Sequence, residues 1–524
     1  MFQSCRCSNL PLRISLAIGT CLLFLVCLSP LCHAANWYVD NTATGSNKGT
    51  SWTNAWKSFS DMRWGSGGVT AGDTLYISGG STEKTYHEQL TIGASGASGQ
   101  PITIRGGLDS GHAGRVIIHG ENWRDYCVDI RSCSYVTIHG LTCKNAYTIG
   151  IGGAEGHDVT VQYCTITACG HGGENDQAGI KYFSGSRNIW VDHCTLYNML
   201  GDGIVLGWVR NSRVSNCSIV DYGPNRTADG IQVSGTNIIV ESNLVHGLVN
   251  LEWHSDGIIA EPSAQPGNPS DRIIIRYNTI SDCLQNMYID SYYYGEGSKG
   301  ITDVQVYYNN VYKVDYTNDV HGIHFHANDG GPSPITGVKA YNNTIAYKTP
   351  ASGDTGLSFN AVTDGDARNN ILYNACLLKF NNADMHYCNY NNYYRTDSGD
   401  IISWEENSFT SLETLKTVNP TYEINGQQKN PLFVDVSSNN HKLQDSSPCI
   451  DKGTNVGLSR DMEGKHVPKG SADMGAFEYY GKHARPTPPT ELWLSLRPSA
   501  PTKKGGIPYV PDPTAEGERI SLPH

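Results

Sequence analysis

Carboxylates and imidazoles recur along this chain at intervals of about thirty residues. Asp202, Asp229 and Asp256 each stand directly before a Gly-Ile pair, and His321 does so further on. One Asp-Gly before a strand is ordinary turn chemistry. Three in succession bring carboxylates into mutual range, which costs energy unless a cation, a partner or a proton is shared. Hydrolysis of a glycosidic bond needs a proton donor and a carboxylate partner across the bond. Asp256, Glu261 and Asp290 could supply both, with His324 tuning one of them, and these four are the candidate catalytic residues. Tyr292, His326, His321 and Lys181 are the candidate substrate-binding residues; Tyr292, Tyr293 and Tyr294 would stack on sugar rings. An elimination would instead need a base for a C5 proton and cover for a uronate carboxylate. Tyr292, His324 or Lys181 could be that base, and Asp202 and Asp229 could hold Ca²⁺, which prefers oxygen ligands. A His-x-His metal pair at His324 and His326 is a third option without a secure third ligand.

The elements that must position these residues emerge from a repeat. Small-then-apolar anchors occur at Gly150-Ile151, Gly179-Ile180, Gly203-Ile204, Gly230-Ile231, Gly257-Ile258, Tyr288-Ile289, Gly322-Ile323 and Gly356-Leu357. Successive anchors are 29, 24, 27, 27, 31, 34 and 34 residues apart, which suits one coil of a β-solenoid each. A second set, Cys164, Cys194, Cys217, Asn243, Asn278, Asn309, Asn343 and Asn369, opens a short strand in each coil. Stacking at about 4.8 Å would turn this set into an internal ladder of Cys passing into Asn. The cysteines read as buried thiols filling a corner of the core.

The distance from first to second anchor is 14, 15, 14 and 13 residues, then 21 in three consecutive coils, then 13. The extra residues, Glu261 to Ser270, Ser291 to Gly300 and Ala327 to Pro334, would stack as one wall of loops. Such insertions on one face commonly build a binding surface. Alternation along the strands turns Ile259 and Glu261 outward, then Asp290 and Tyr292, then His324 and His326. In this register Asp290 and His324 share a column facing solvent or a groove. A second outward column runs Asp202, Asp229, Asp256, Met287, His321.

These segments resemble the pectin-lyase-like right-handed parallel β-helix proteins. Trp37-Tyr38-Val39-Asp40 with Gly49-Thr50-Ser51-Trp52 is similar to the start of secreted bacterial members. Gly99-Gln100-Pro101-Ile102-Thr103-Ile104-Arg105 resembles an early-coil motif, and Ser447-Pro448-Cys449-Ile450-Asp451 with Asp473-Met474-Gly475-Ala476-Phe477-Glu478-Tyr479 a C-terminal one. The resemblance implies an all-β, single right-handed parallel β-helix with an N-terminal cap. It leaves the reaction open, because the group includes lyases, glycosidases, epimerases and adhesins. Asp229-Gly230-Ile231 and His321-Gly322-Ile323 look like elements of polygalacturonase-like glycosidases. The chain departs from those at Thr227-Ala228 and Ser255, and it lacks an Arg-Ile-Lys motif.

Residues 1–35 read as a cleavable export signal, 36–480 as the β-helix, and 481–524 as a Pro-rich tail expected to be disordered. The mature protein is then expected outside the cytoplasm, secreted or periplasmic, as a monomer with no membrane span. Formal charge −12 argues against nucleic acid as a partner. It also makes a strongly anionic polymer a less natural ligand unless local cations offset the field. Eleven of the 16 cysteines follow residue 35, an odd number, so not all can pair within the chain. A polysaccharide is the expected partner. Hydrolysis is the first reading, elimination with Ca²⁺ the second, and a non-enzymatic glycan-binding solenoid the third.

Overall fold

A computed structural model describes residues 34–481, apart from 172–176, 221–228, 249–254, 263–268, 292–298, 315–320, 332, 351–354, 381 and 469–470. Tyr292, Tyr293, Tyr294, the middles of the insertions, residues 1–33 of the expected signal and the expected tail beyond 481 therefore lie outside the described residues.

The chain coils, and each coil lays three strands on those of the coil before. Ile149–Ala154, His157–Gln162 and Thr165–Thr167 form one such turn. Ala178–Phe183, Arg187–Asp192 and Thr195–Tyr197 pair with them in parallel in the next. Six strands carry the functional argument: β1 (Asp202–Ser215), β2 (Ile231–Glu241), β3 (Asp256–Glu261), β4 (Gln285–Asp290), β5 (His321–His326) and β6 (Thr355–Asn360). β1 and β2 are long enough to serve two faces of the coil. Among the described residues, antiparallel pairing joins Ile402–Trp404 to Asn407–Phe409 and Phe433–Asp435 to Asn440–Leu443. The first follows the last parallel strand, where turning the chain back helps protect an open sheet edge; the second packs on the flank of earlier coils, His441 Nδ1 lying 2.9 Å from Asn310 Oδ1. Leu412–Val418 is the one α-helix among the described residues, capped by Ser411 Oγ accepting from the Thr414 amide.

The core is a stack of aliphatic rungs. Ile204, Ile231, Ile258, Met287, Ile323 and Leu357 align across β1 to β6 and are fully buried. A bend precedes the third strand of each coil. Tyr163, His193, Asn216, Ser242, Tyr277, Tyr308, Asn342, Asn369 and Tyr390 occupy it, all left-handed with φ between 51° and 60°. The residue after each bend turns inward. Asn243, Asn278, Asn309, Asn343, Asn370 and Asn391 form the ladder, each Nδ2 donating to the next Oδ1 at 3.0 Å. The ladder ends where Asn391 Nδ2 meets Glu423 Oε1 at 2.6 Å. The expected member Asn369 is corrected to Asn370: Asn369 is the bend residue and faces Asn342 and Thr454 instead. An Asn-Asn pair gave no compositional reason to choose between them. All eleven cysteines among the described residues are free thiols, and ten are buried, Cys376 being half-buried.

Candidate active site

The first face of the coil presents three outward columns across β3, β4 and β5. Asp256, Gln285 and His321 align in one, Ile259, Tyr288 and His324 in the second. In the third, Asp290 lies beside His326, and Glu261 lies one strand before Asp290, next to the Ala260–Ile289 pair. The residues between, Ile258, Ala260, Met287, Ile289, Ile323 and Phe325, point into the core.

This register corrects two expectations. Asp290 pairs with His326, not His324, whose neighbour is Tyr288; and Gln285, not Met287, continues the column from Asp256 to His321. The anchor in β4 is Asn286-Met287 rather than Tyr288-Ile289. A slip of two residues keeps every side chain on its own face, so hydrophobic alternation is blind to it. The insertions survive the correction, since Asn286 to Asn309 is still a long span. A third expectation also changes. Asp256, Asp290 and His324 lie outside the core yet are only 2%, 4% and 9% exposed.

The aspartate column is a ladder of its own. The Asp229 amide donates to Asp202 Oδ1 at 3.1 Å, and the Asp256 amide to Asp229 Oδ1 at 3.0 Å. The turn preference that placed Asp before Gly thus also ties one coil to the next. Asp256 ends the series, and its Oδ1 is buried with no hydrogen-bond partner. Burial first, then the charges of Asp290, Glu261 and Asp202, push its carboxyl well above the ordinary carboxylate range. Asp229 is raised likewise by burial, Asp256 and Asp202. Burial and mutual repulsion thus favour a proton shared between these two acids.

Glu261 and Asp290 have hydrogen-bonding neighbours. Gln232 Nε2 donates to Glu261 Oε2 at 2.6 Å. His326 Nδ1 lies 3.2 Å from Asp290 Oδ1 and 2.5 Å from the Tyr288 hydroxyl, so one imidazole links carboxyl and phenol. His324 sits among rings, with centroids 5.3 Å from Tyr288, 4.9 Å from His321 and 5.1 Å from His326. Both of its ring nitrogens are buried without a hydrogen bond. Burial, then His321 and His326, hold its pKa well below the usual value, so the ring is neutral at physiological pH. Beside it on β6 is Ser358, whose hydroxyl is also buried and unpartnered. Buried polar atoms without partners are rare, and a group of them marks a place where a ligand can bond.

Sequence reading reached Asp256, Glu261, Asp290, His321, His324 and His326, all of which this face brings together. It missed Gln232, Tyr288 and Ser358, of which Tyr288 joins the column only in the corrected register. Lys181 is not part of the cluster. It shares the His324 column through Val205, Gln232, Ile259 and Tyr288, five steps or about 24 Å away at strand spacing. Asp202 and Asp229 each accept the amide of the next rung through Oδ1. Among the described residues, the three-residue group with donor atoms within metal-binding reach is His87, His119 and Glu121, all within 4.8 Å of one another. Protein bonds already join that group. His87 Nδ1 lies 2.8 Å from Glu121 Oε1, and the Glu121 amide donates to His119 Nδ1 at 3.0 Å.

A family model described as a right-handed beta helix region matches residues 126–268. No curated protein matches the sequence significantly. Among solved structures, a pectate lyase is 15% identical at TM-score 0.46, the match covering 85% of this chain and 96% of that one. A rhamnogalacturonan lyase is 14% identical at TM-score 0.45, covering 79% and 96%. PfbA, a surface adhesin of Streptococcus pneumoniae, is 10% identical at TM-score 0.44, covering 64% and 85%. No helix among the described residues is long and apolar enough to cross a membrane. The family match over residues 126–268 and the parallel coils together show the fold, a right-handed parallel β-helix.

Proposed function

We propose that this is an exported enzyme that cleaves glycosidic bonds of a polysaccharide by acid–base hydrolysis on the outer face of β3 to β5. The observation that carries the reading is Asp256. It is a buried acid with an unpartnered oxygen, and carboxyls on the same face favour its protonated form. An acid whose surroundings favour its protonated form suits the role of proton donor. Asp256 is the proton donor to the leaving oxygen. Asp290, held by His326, and Glu261, held by Gln232, are the carboxylate candidates for activating water or stabilising the sugar cation. Neutral His324 and the Ser358 hydroxyl bond sugar hydroxyls.

One observation favours a second reading. A neutral, unpartnered His324 can also accept a proton, as an elimination would require. Incubating the protein with a polysaccharide panel separates the readings. Hydrolysis raises reducing ends alone, elimination also raises the absorbance of unsaturated products, and a binding solenoid raises neither. Unsaturated products, or no cleavage of any polymer, would overturn the hydrolase proposal.

A further inference from the structure

We propose that the face around Asp256, Tyr288 and His324 takes uncharged sugar units and rejects uronates. This rests on the reading of that face as the substrate site and names the class of glycan it takes.

Histidines apart, the charged side chains of the outward columns are of one sign. From β2 to β6 they hold Asp229, Gln232, Ser234; Asp256, Ile259, Glu261; Gln285, Tyr288, Asp290; His321, His324, His326; and Thr355, Ser358, Asn360. Among these described positions there are four carboxyls and no Lys or Arg. The charges acting on Asp256 are those of Asp290, Glu261 and Asp202. His324, the most central imidazole, is held neutral by its surroundings. Lys181 is five strands away on the same face. A uronate carboxylate placed here would be stripped of water beside fixed carboxyls with no Lys or Arg among these positions to pair it, which is heavily penalised in a buried site.

The groups lacking bonds suit hydroxyls. Asp256 Oδ1 accepts, or donates when protonated. The two ring nitrogens of His324 offer one donor and one acceptor, and Ser358 Oγ offers both. A sugar ring edge carries the same mixture of donors and acceptors. Ile259 and Tyr288, neighbours in the central column and each 5% exposed, make the middle of this face apolar. An uncharged sugar satisfies every one of these atoms without adding charge.

The test compares polygalacturonate with the same polymer fully methyl-esterified, alongside alginate, xylan, galactan, glucan and mannan, each with and without Ca²⁺. Cleavage is read by reducing ends and unsaturated-product absorbance, and binding by affinity electrophoresis. Cleavage or binding confined to uncharged polymers, at least tenfold above the uronates, supports the inference. Preference for polygalacturonate over its methyl ester, or for alginate over the neutral set, overturns it. Binding of neutral polymers without cleavage overturns the enzymatic reading and leaves the substrate class standing. Binding of no polymer overturns both.

Discussion

The amide of Asp256 donates to Asp229 Oδ1 at 3.0 Å, while Asp256 Oδ1 accepts from no group. A structural ladder thus ends in a carboxyl with one oxygen left unpartnered. Asp256→Asn should lower turnover by about 10²–10⁴, the usual contribution of a general acid. It should leave the melting temperature equal or higher, since a buried like-charge repulsion is removed. The folded pKa of Asp256 lies above its ordinary 3.8, so its stability contribution is full below that value and declines as pH rises towards the folded one. The Asn variant should therefore gain on the parent as pH increases through that window. Melting curves and initial rates on the same preparations check both. Near-full activity with an intact fold would remove Asp256 from the mechanism.

Asp290→Asn and His324→Ala should each abolish most turnover while the fold survives. Neither side chain belongs to the aliphatic core, although both are buried on the outer face. Asp290→Asn removes the carboxylate facing His326, and His324→Ala removes two atoms offered to substrate. Unchanged melting with unchanged rates in both variants would show that this cluster is not catalytic.

Asn309→Ala should cost stability and spare chemistry. Its Oδ1 accepts from both the amide and Nδ2 of Asn278, and its own Nδ2 donates to Ile275 O and Asn343 Oδ1. Truncation strands buried donors and acceptors on both neighbouring rungs, which costs about 2–4 kcal/mol when one or two of them stay unsatisfied. The midpoint of urea unfolding should fall, with activity per folded molecule retained. An unchanged midpoint would show that the ladder contributes little.

Rising pH should loosen the packing of the C-terminal segment on the flank of the coils. Glu478 is buried, accepts from the Tyr308 hydroxyl and the Asp473 amide at 3.3 Å, and has its pKa pushed up to about 8, chiefly by burial. Asp473 beside it is raised to about 6, also by burial. Groups with raised folded pKa values stabilise below their unfolded values, and the gain is lost as pH rises through the folded ones. Stability should therefore decline between about pH 4.5 and 8 through Glu478. Glu478→Gln should flatten that part of the melting profile. A variant with the parent's slope would place the titration elsewhere.

The sequence by itself determined the coil repeat, the inward faces and the neighbourhood of the site. Burying one face of every strand demands alternation, and Gly-Ile anchors at near-constant spacing record it. Asp256, Glu261, Asp290 and the three histidines were legible because no aliphatic core can use them. Which residues touch was decided by tertiary structure. The pairings Asp290–His326 and Tyr288–His324 differ from the expected ones by a two-residue slip that leaves alternation intact. Likewise Asn370 rather than Asn369 joins the ladder, because the bend before it takes one left-handed residue and either Asn suits that position. Burial was not legible either. Outward on a strand means away from the core, and only the packed chain decides whether that is also away from water; here Asp256, Asp290 and His324 are outward and dry. That desolvation shifts the protonation of Asp256 and His324, and it arises from three-dimensional packing that strand alternation does not encode.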